Sequence, residues 1–249
     1  MSEPVEISRH GRIVHIRLSR PEKRNALTGH MYRIMTQTMQ EADAAGDVSA
    51  LIFSGAGGVF TAGNDILDFV QNTRDREKPA ATSFIEQLAI CQTPMIAAID
   101  GLAIGVGTTM ILHCDFAYAT PASQFKMPFV DLGLVPEAAS SRLVPERLGW
   151  KKAAELLMLG DGFDAREAER LGFINGVVEA ADLLRHAFAI GERLGAKPRA
   201  ALAATRQLMR AGAEETRAVM NRESAVFGER LASAETQGIF AAFLNRGKA

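Results

Sequence analysis

Residues 94–115, PMIAAIDGLAIGVGTTMILHCD, constrain the fold more than any other stretch of this chain. Met95 to Ile99 is an apolar run of a length that suits a buried strand. Asp100-Gly101 breaks it, and Gly105-Val106-Gly107 opens a second apolar run from Thr108 to Leu112. The order reads strand, turn, helix start. The first N–H groups of a helix have no partner within it, and together with the helix dipole they suit an anion, or an oxygen that becomes one. Val106 lies between two glycines, so its N–H is open to a ligand. The alternative is that Gly105 and Gly107 only permit close packing. Met95 to Leu112 is long enough to mimic a membrane span, but Asp100 and three glycines interrupt it, which strand, turn and helix explain better.

The rest of the chain alternates in the same way. Val14, Ile16 and Leu18 alternate with His15 and Arg17, which predicts a half-buried strand paired in a hairpin with Val5 to Ser8 around Gly11. Thr28 suits the cap of a helix in which Met31, Ile34, Met35 and Met39 fall at helical spacing, a stripe that reads as core. Ala50 to Ser54 predicts a second buried strand. It is followed by the glycine-rich SGAGGVFTAGNDI, a short helix from Ile66 to Val70, a polar stretch from Gln71 to Ala80, and a helix from Ser83 to Cys91. Phe116 to Ala119 and Ile174 to Val178 read as further strands, and Trp150 to Leu159 and Ala165 to Arg170 as helices. Strands alternating with helices imply parallel βαβ units, hence an α/β fold. The alternation stops near residue 195, which divides a core, 1–195, from a helical segment, 196–249, broken near Gly212.

A length of 249 residues, 47% of them hydrophobic, suffices for a large core. With 28 basic against 29 acidic residues there is no basic stripe for nucleic acid. Cys91 and Cys114 have no metal-ligand spacing and read as buried free thiols. The polar opening MSEPVEISRHG holds no signal-peptide core, so we expect a soluble, cytoplasmic protein that does not bind membranes.

Two glycine-bearing turns follow two buried strands, AGND at residues 62–65 and GVG at residues 105–107. In a parallel sheet such turns share one edge, the usual ligand site. Two converging N–H groups, from Asn64 and Val106, make an oxyanion hole, a large stabilising term for an enolate or a tetrahedral intermediate. GVGTTM lacks the third glycine of a dinucleotide fingerprint.

The segments PEKRNALT (21–28), FTAGNDI (60–66), IDGLAIGVG (99–107), CDFAYA (114–119), FKMPFVDLG (125–133) and Leu134-Val135-Pro136 resemble, in order and spacing, the crotonase or enoyl-CoA hydratase/isomerase superfamily. The resemblance implies a spiral of ββα units, a C-terminal helical segment that assembles trimers or hexamers, an acyl-CoA thioester as substrate, and no cofactor or metal. It assigns the oxyanion hole to the backbone N–H groups of Asn64 and Val106. It places Arg24, Asn25, Ala26, Ala62, Gly63, Asp65, Ile66, Gly105 and Phe129 around the substrate and its CoA.

The departures are more informative. Family hydratases carry glutamates where this chain has Thr109 and Phe129, and neither residue is an acid. Glu137, in PEAASS, resembles instead the single catalytic glutamate in the PEG-x-SS segment of peroxisomal-type Δ3,Δ2-enoyl-CoA isomerases, with Ala138 in place of their glycine. Hydration suits two carboxylates, whereas moving a double bond needs one base, with a raised pKa, that takes a C2 proton and returns it at C4. The expected activity is isomerisation of a 3-enoyl-CoA. A hydratase with Asp131 or Asp65 as second acid, and a non-catalytic acyl-CoA-binding module, are the competing readings. On its own residues Glu137 also reads as an ordinary helix opening, Asp65 as a helix cap, His113 as a core histidine, and His10, His15 and His30 as surface residues. Lys248 or Arg246 is placed near a CoA phosphate.

Overall fold

The hairpin of β1 (Val5–His10) and β2 (Ile13–Leu18) is antiparallel and turns at Gly11, as expected. From β2 onward the sheet is parallel through β3 (Ala50–Gly55), β4 (Met95–Ile99), β6 (Phe116–Ala119) and β9 (Gly176–Val177). Parallel neighbours need a crossover. Helix α1 (Gly29–Ala45) supplies it between β2 and β3, and α2 (Ala80–Ile90) between β3 and β4. The structure is a computed structural model that describes residues 3–68, 79–210 and 212–246. The end of the expected 66–70 helix, nearly all of the polar stretch 71–80, and the side chains of Arg246 and Lys248 lie outside the described residues.

A second sheet, of β5 (Leu102–Ile104), β7 (Gln124–Lys126) and β8 (Phe163–Asp164), was not expected from the sequence. Its strands have only two or three residues, too few for any periodicity. It explains the spiral. Each pass places a long strand in the first sheet and then a short one in the second, as β4 is followed by β5 and β6 by β7. After β5 comes the short helix α3 (Val106–Thr109), and after β7 the helix α4 (Ser140–Leu148). In the two earlier passes single bridges do the work of the short strand: Leu27 pairs with Asn64, and Thr61 with Ala103. Helices α5 (Trp150–Met158), α6 (Ala165–Arg170) and α7 (Ala180–Gly195) complete the core segment.

Both faces of the first sheet are covered. Ile16, Leu51, Phe53, Ala97 and Ile99 pack with Met31, Met35 and Met39 of α1 and with Phe84 and Leu88 of α2, so the methionine stripe is core. Ile13, Ala50, Ile52, Ile96 and Ala98 pack against Leu183, Ala187 and Ile190 of α7. This second cover corrects the reading of His15 as a surface residue. His15 is 7% exposed, its ring lies edge-on to Phe188 of α7, and its Nε2 pairs with Ser54 Oγ at 2.8 Å. A strand under a helix on each side buries both faces, and alternation alone cannot report that.

The final helices are α8 (Arg199–Met209), α9 (Ala213–Ala232) and α10 (Ala234–Arg246). They fold back on the core. Arg206 of α8 is buried, grips Asp115 through Nε at 2.8 Å, and donates to the Cys91 carbonyl at 2.7 Å. Arg230 Nε and Thr236 Oγ1 both donate to the Gly133 carbonyl. Leu208 and Met209 nonetheless stay 77% and 80% exposed. No described helix is long and apolar enough to cross a membrane.

The loop before α1 depends on Asn25, which is fully buried in the left-handed region at φ 54°. Its Oδ1 accepts from the Arg20 N–H, and its Nδ2 donates to the carbonyls of Ala56 and Val59. The side chain expected near CoA is therefore committed to three backbone groups, tying its own loop to the 56–59 turn. Asn25→Ala leaves those groups unpaired. We expect urea unfolding to report a loss of at least ~2 kcal/mol, since an orphaned buried polar group costs about 1–3 kcal/mol; an unchanged midpoint contradicts this.

Candidate active site

The spiral brings the two glycine turns side by side. Thr61 N–H donates to Leu102 O and Ile104 N–H to Thr61 O, which holds the AGND loop along β5. Gly63, at φ 86°, lies so near the Ile104 carbonyl that a Cβ there would stand 2.8 Å from its oxygen. Gly107 is equally tight, since its Cβ would stand 2.4 Å from Thr61 Cγ2. Gly105 has open space around it and needs its φ of 56° instead. The two glycines of GVG thus have different reasons: one bends the chain into the helix and the other lets two loops touch.

Asn64 and Val106 stand on these facing turns. Their flanking residues carry the bridges: Leu27 N–H donates to Gly63 O, and Asp65 N–H to Leu27 O. The N–H groups of Asn64 and Val106 themselves donate to no acceptor among the described residues. Val106 is the first residue of α3, where an unpaired N–H is inherent in the helix. The Asn64 side chain has its own anchor, for Tyr32 Oη donates to its Oδ1. Burial pushes the Tyr32 hydroxyl well above its ordinary pKa, with the charges of Glu137 and Asp68 adding to the effect, so it stays a donor.

Glu137 reaches the same place from the loop before α4. Thr109 Oγ1, one helical turn beyond Val106, donates to Glu137 Oε1 at 2.5 Å. Glu137 Oε2 is buried with no partner among the described residues. Burial pushes the carboxyl pKa up to about 8; the Thr109 hydrogen bond pulls it down, and the neighbouring charge of Glu223 raises it. Behind it, Ser140 N–H and Oγ both donate to the Glu137 carbonyl, at 3.0 and 2.6 Å. His113 donates through Nε2 to the Ala138 carbonyl at 2.8 Å, a tautomer assigned from that acceptor. Burial drops the His113 pKa to about 4, so the ring is neutral. Ala138 and Ala139 both sit at φ 57°, where glycine costs nothing and an L side chain is strained.

The other sequence-predicted residues have the following partners. Ala62 N–H donates to the Arg24 carbonyl, so the Arg24–Ala26 and Ala62–Ile66 segments run together, with Arg24 exposed. Asp65 accepts from the Asp68 N–H and pairs with Arg20 at 3.2 Å. Asp131 pairs with Lys126 at 3.3 Å. Phe129 is buried in the main core and its carbonyl accepts from Leu132 and Leu134. A separate cavity of about 450 Å³ contains none of these residues. It is lined by Arg142, Arg147, Arg206 and Arg210, and the last three cap carbonyls of Leu112, Cys91 and His113. No group of three His, Cys, Asp or Glu that could hold a metal occurs among the described residues.

Sequence reasoning missed three partners. Thr109 was noticed only as a missing acid, although its place one turn after Val106 predicts where its hydroxyl points. Tyr32 adjoins the methionine stripe and is itself core by burial. Glu223 accepts from Ala139 N–H at 2.6 Å across 84 residues, a separation that carries no sequence signal.

A sequence model of the enoyl-CoA hydratase/isomerase family matches residues 8–249. A probable enoyl-CoA hydratase of Mycobacterium leprae is 33% identical over 215 residues, 86% of this chain and 84% of that protein. Enoyl-CoA delta isomerase 2 of Rattus norvegicus is 32% identical over 182 residues, 71% of this chain but 46% of that longer protein. Among solved structures, Pseudomonas aeruginosa OdaA matches with a TM-score of 0.94 at 38% identity, over 97% of this chain and 99% of that one. An enoyl-CoA hydratase/isomerase from Pseudoalteromonas atlantica T6c matches with a TM-score of 0.93 at 35% identity, over 98% of each chain.

The raised pKa of Glu137 has a consequence for stability. The folded state holds this proton up to about pH 8, whereas the unfolded chain releases it near 4.5. A raised folded pKa contributes stability that is full below the unfolded value and is lost as pH climbs through the folded one. Glu137→Gln removes the titration. Between pH 5 and 8, urea unfolding of wild type should lose stability relative to the variant by up to about 1.4 kcal/mol per pH unit. Parallel stability curves contradict a buried, raised carboxyl.

Proposed function

The chain belongs to the enoyl-CoA hydratase/isomerase family, and on that footing we propose that it is an isomerase, shifting the double bond of a 3-enoyl-CoA to the 2-trans position with Glu137 as its one proton carrier. The observation that carries this reading is the unequal state of the two Glu137 oxygens: Thr109 holds Oε1, and Oε2 is buried without a partner among the described residues. A free carboxylate oxygen held beside an oxyanion hole is what proton abstraction next to a thioester requires.

On this reading the reaction takes two proton transfers. The thioester oxygen takes the N–H groups of Asn64 and Val106. Ionised Glu137 removes a proton from C2, and the C–H electron pair moves into the thioester as a dienolate, its oxygen stabilised by the two donors. Glu137, now a carboxylic acid, returns the proton at C4. The C3–C4 π pair takes that proton as the new C4–H bond, the C1–C2 π pair of the dienolate becomes the C2–C3 double bond, and the carbonyl re-forms, so no atom is gained or lost. A pKa of about 8 suits a group that must be base and then acid near neutrality. Thr109 Oγ1 lies 3.4 Å from the Val106 carbonyl as well, so its single proton can turn to the backbone when Glu137 is protonated. The Arg24–Ala26 and Ala62–Ile66 segments would take the CoA portion, with Gly105 and Phe129 bordering the acyl portion.

Relatives named as hydratases make hydration the second reading, and it needs a second acid. The two candidates are engaged elsewhere, Asp65 by Arg20 and the Asp68 N–H, and Asp131 by Lys126. Glu223, the carboxylate nearest in charge to Glu137, has one oxygen on Ala139 N–H and the other on Ser141 N–H. These engagements support a single-carboxylate reaction.

Glu137→Gln keeps size and removes the base. Turnover of 3-enoyl-CoA should fall by at least ~10²-fold with KM little changed, the lower range for a positioned base; wild-type turnover sinks the assignment. For assembly, the exposed Leu208 and Met209, with Val226 and Phe243, support a homotrimer, or a hexamer of two such trimers. Sedimentation equilibrium should return at least the mass of three chains, and a concentration-independent single-chain mass rules this out.

A further inference from the structure

We propose that Glu223 is a positioning residue for Glu137: its carboxylate, arriving from α9, clamps the backbone N–H groups of Ala139 and Ser141 and so fixes the turn that aims the Glu137 side chain at Thr109. The proposal rests on Glu137 being the proton carrier. It gives the C-terminal helices a part in the chemistry of their own subunit, separate from assembly.

Four observations carry it. Glu223 is 8% exposed, which is unusual for a carboxylate that makes no ion pair among the described residues. Its Oε2 accepts from Ala139 at 2.6 Å and its Oε1 from Ser141 at 2.9 Å, so both oxygens are spent on one short segment. That segment begins two residues after Glu137 and includes Ala139, which with Ala138 occupies the left-handed region. Non-glycine residues stay there only when surrounding contacts hold them. Ser140 on the Glu137 carbonyl and His113 on the Ala138 carbonyl fix carbonyls; Glu223 fixes the N–H groups that follow them. Charge-assisted bonds to backbone N–H groups are the strong kind, and a buried one specifies geometry tightly.

The charge has a second effect. Glu223 bears on Glu137 as a neighbouring anion, which favours the protonated form of Glu137. The other groups facing this pair are Tyr32 from α1, kept neutral by burial, His113, also neutral, and Arg222, next to Glu223 on α9. Removing the Glu223 charge therefore lowers the pKa of Glu137, whereas a role in fold stability alone leaves it where it is.

The test is the pH dependence of kcat and KM on 3-enoyl-CoA for wild type, Glu223→Gln and Glu223→Asp. Glutamine offers one acceptor and sets an amide against the second N–H. Its kcat should fall about 10–10²-fold, the scale of an ångström-size misplacement, with KM near wild type and the acid limb displaced to lower pH. Aspartate keeps the charge but reaches less far, so its kcat should fall while its acid limb stays in place. Adding Ala139→Gly to the glutamine variant should recover part of kcat, because glycine holds the left-handed turn without help. Wild-type kcat in Glu223→Gln overturns the proposal, as does a reduced kcat with an unmoved acid limb and no recovery by glycine. If Glu223→Gln does not fold, the aspartate variant decides: wild-type kcat there overturns the clamp, and a reduced kcat at unchanged KM supports it. Full activity in Glu137→Gln would strike down the base assignment instead, whatever Glu223 does.

Discussion

Burying a carboxyl group with one hydroxyl for company is the constraint from which the rest of this site follows. The Thr109 bond holds Glu137 Oε1, and desolvation of the remainder raises the pKa to about 8. A paired cation would cancel that shift and leave a weak base. A second shared carboxylate would split the titration between two groups. Thr109, with one proton to give and no charge, orients the carboxyl without doing either. The supports that keep Glu137 in this costly position are accordingly neutral or remote: a neutral imidazole on Ala138, a serine on the Glu137 carbonyl, and a carboxylate that spends both oxygens on backbone N–H groups.

The fold supplies the other half of the site. Each pass of the spiral crosses from the long sheet to the short one, so turns distant in sequence stack at one edge. Gly63 against Ile104 and Gly107 against Thr61 are the contact points. They bring the loops that carry Asn64 and Val106 against each other, while α3 carries Thr109 one turn further on. A side chain at either glycine would drive the loops apart, and with them the two N–H groups proposed as the oxyanion hole.

Much of this was legible in the sequence, and the gaps have physical causes. Runs such as Ala50–Gly55 and Met95–Ile99, and the stripe of Met31, Met35 and Met39, are set by burial and show as periodicity. The strands β5, β7 and β8 are held by neighbours and not by their own pattern, so their two or three residues carry no strand signal in the sequence. His15 alternates like a surface residue because α7 comes over it from far along the chain. At the site, Glu137, Asn64 and Val106 stand in motifs whose spacing is local. Tyr32 and Glu223 reach them through tertiary packing, for which one sequence offers no signal. Asn25, expected beside CoA, turns its side chain into the framework, since its left-handed backbone lies where its own loop meets the 56–59 turn.

The central claim is that one mobile proton, and no added water, defines the reaction. The most direct measurement gives the purified protein a 3-enoyl-CoA in one vessel and a 2-trans-enoyl-CoA in another, and follows both by mass and by absorbance of the conjugated thioester. The account predicts conjugation without change of mass in the first vessel, and little or no 3-hydroxyacyl-CoA in the second. Hydration of the 2-trans-enoyl-CoA at a rate equal to or above isomerisation would contradict it.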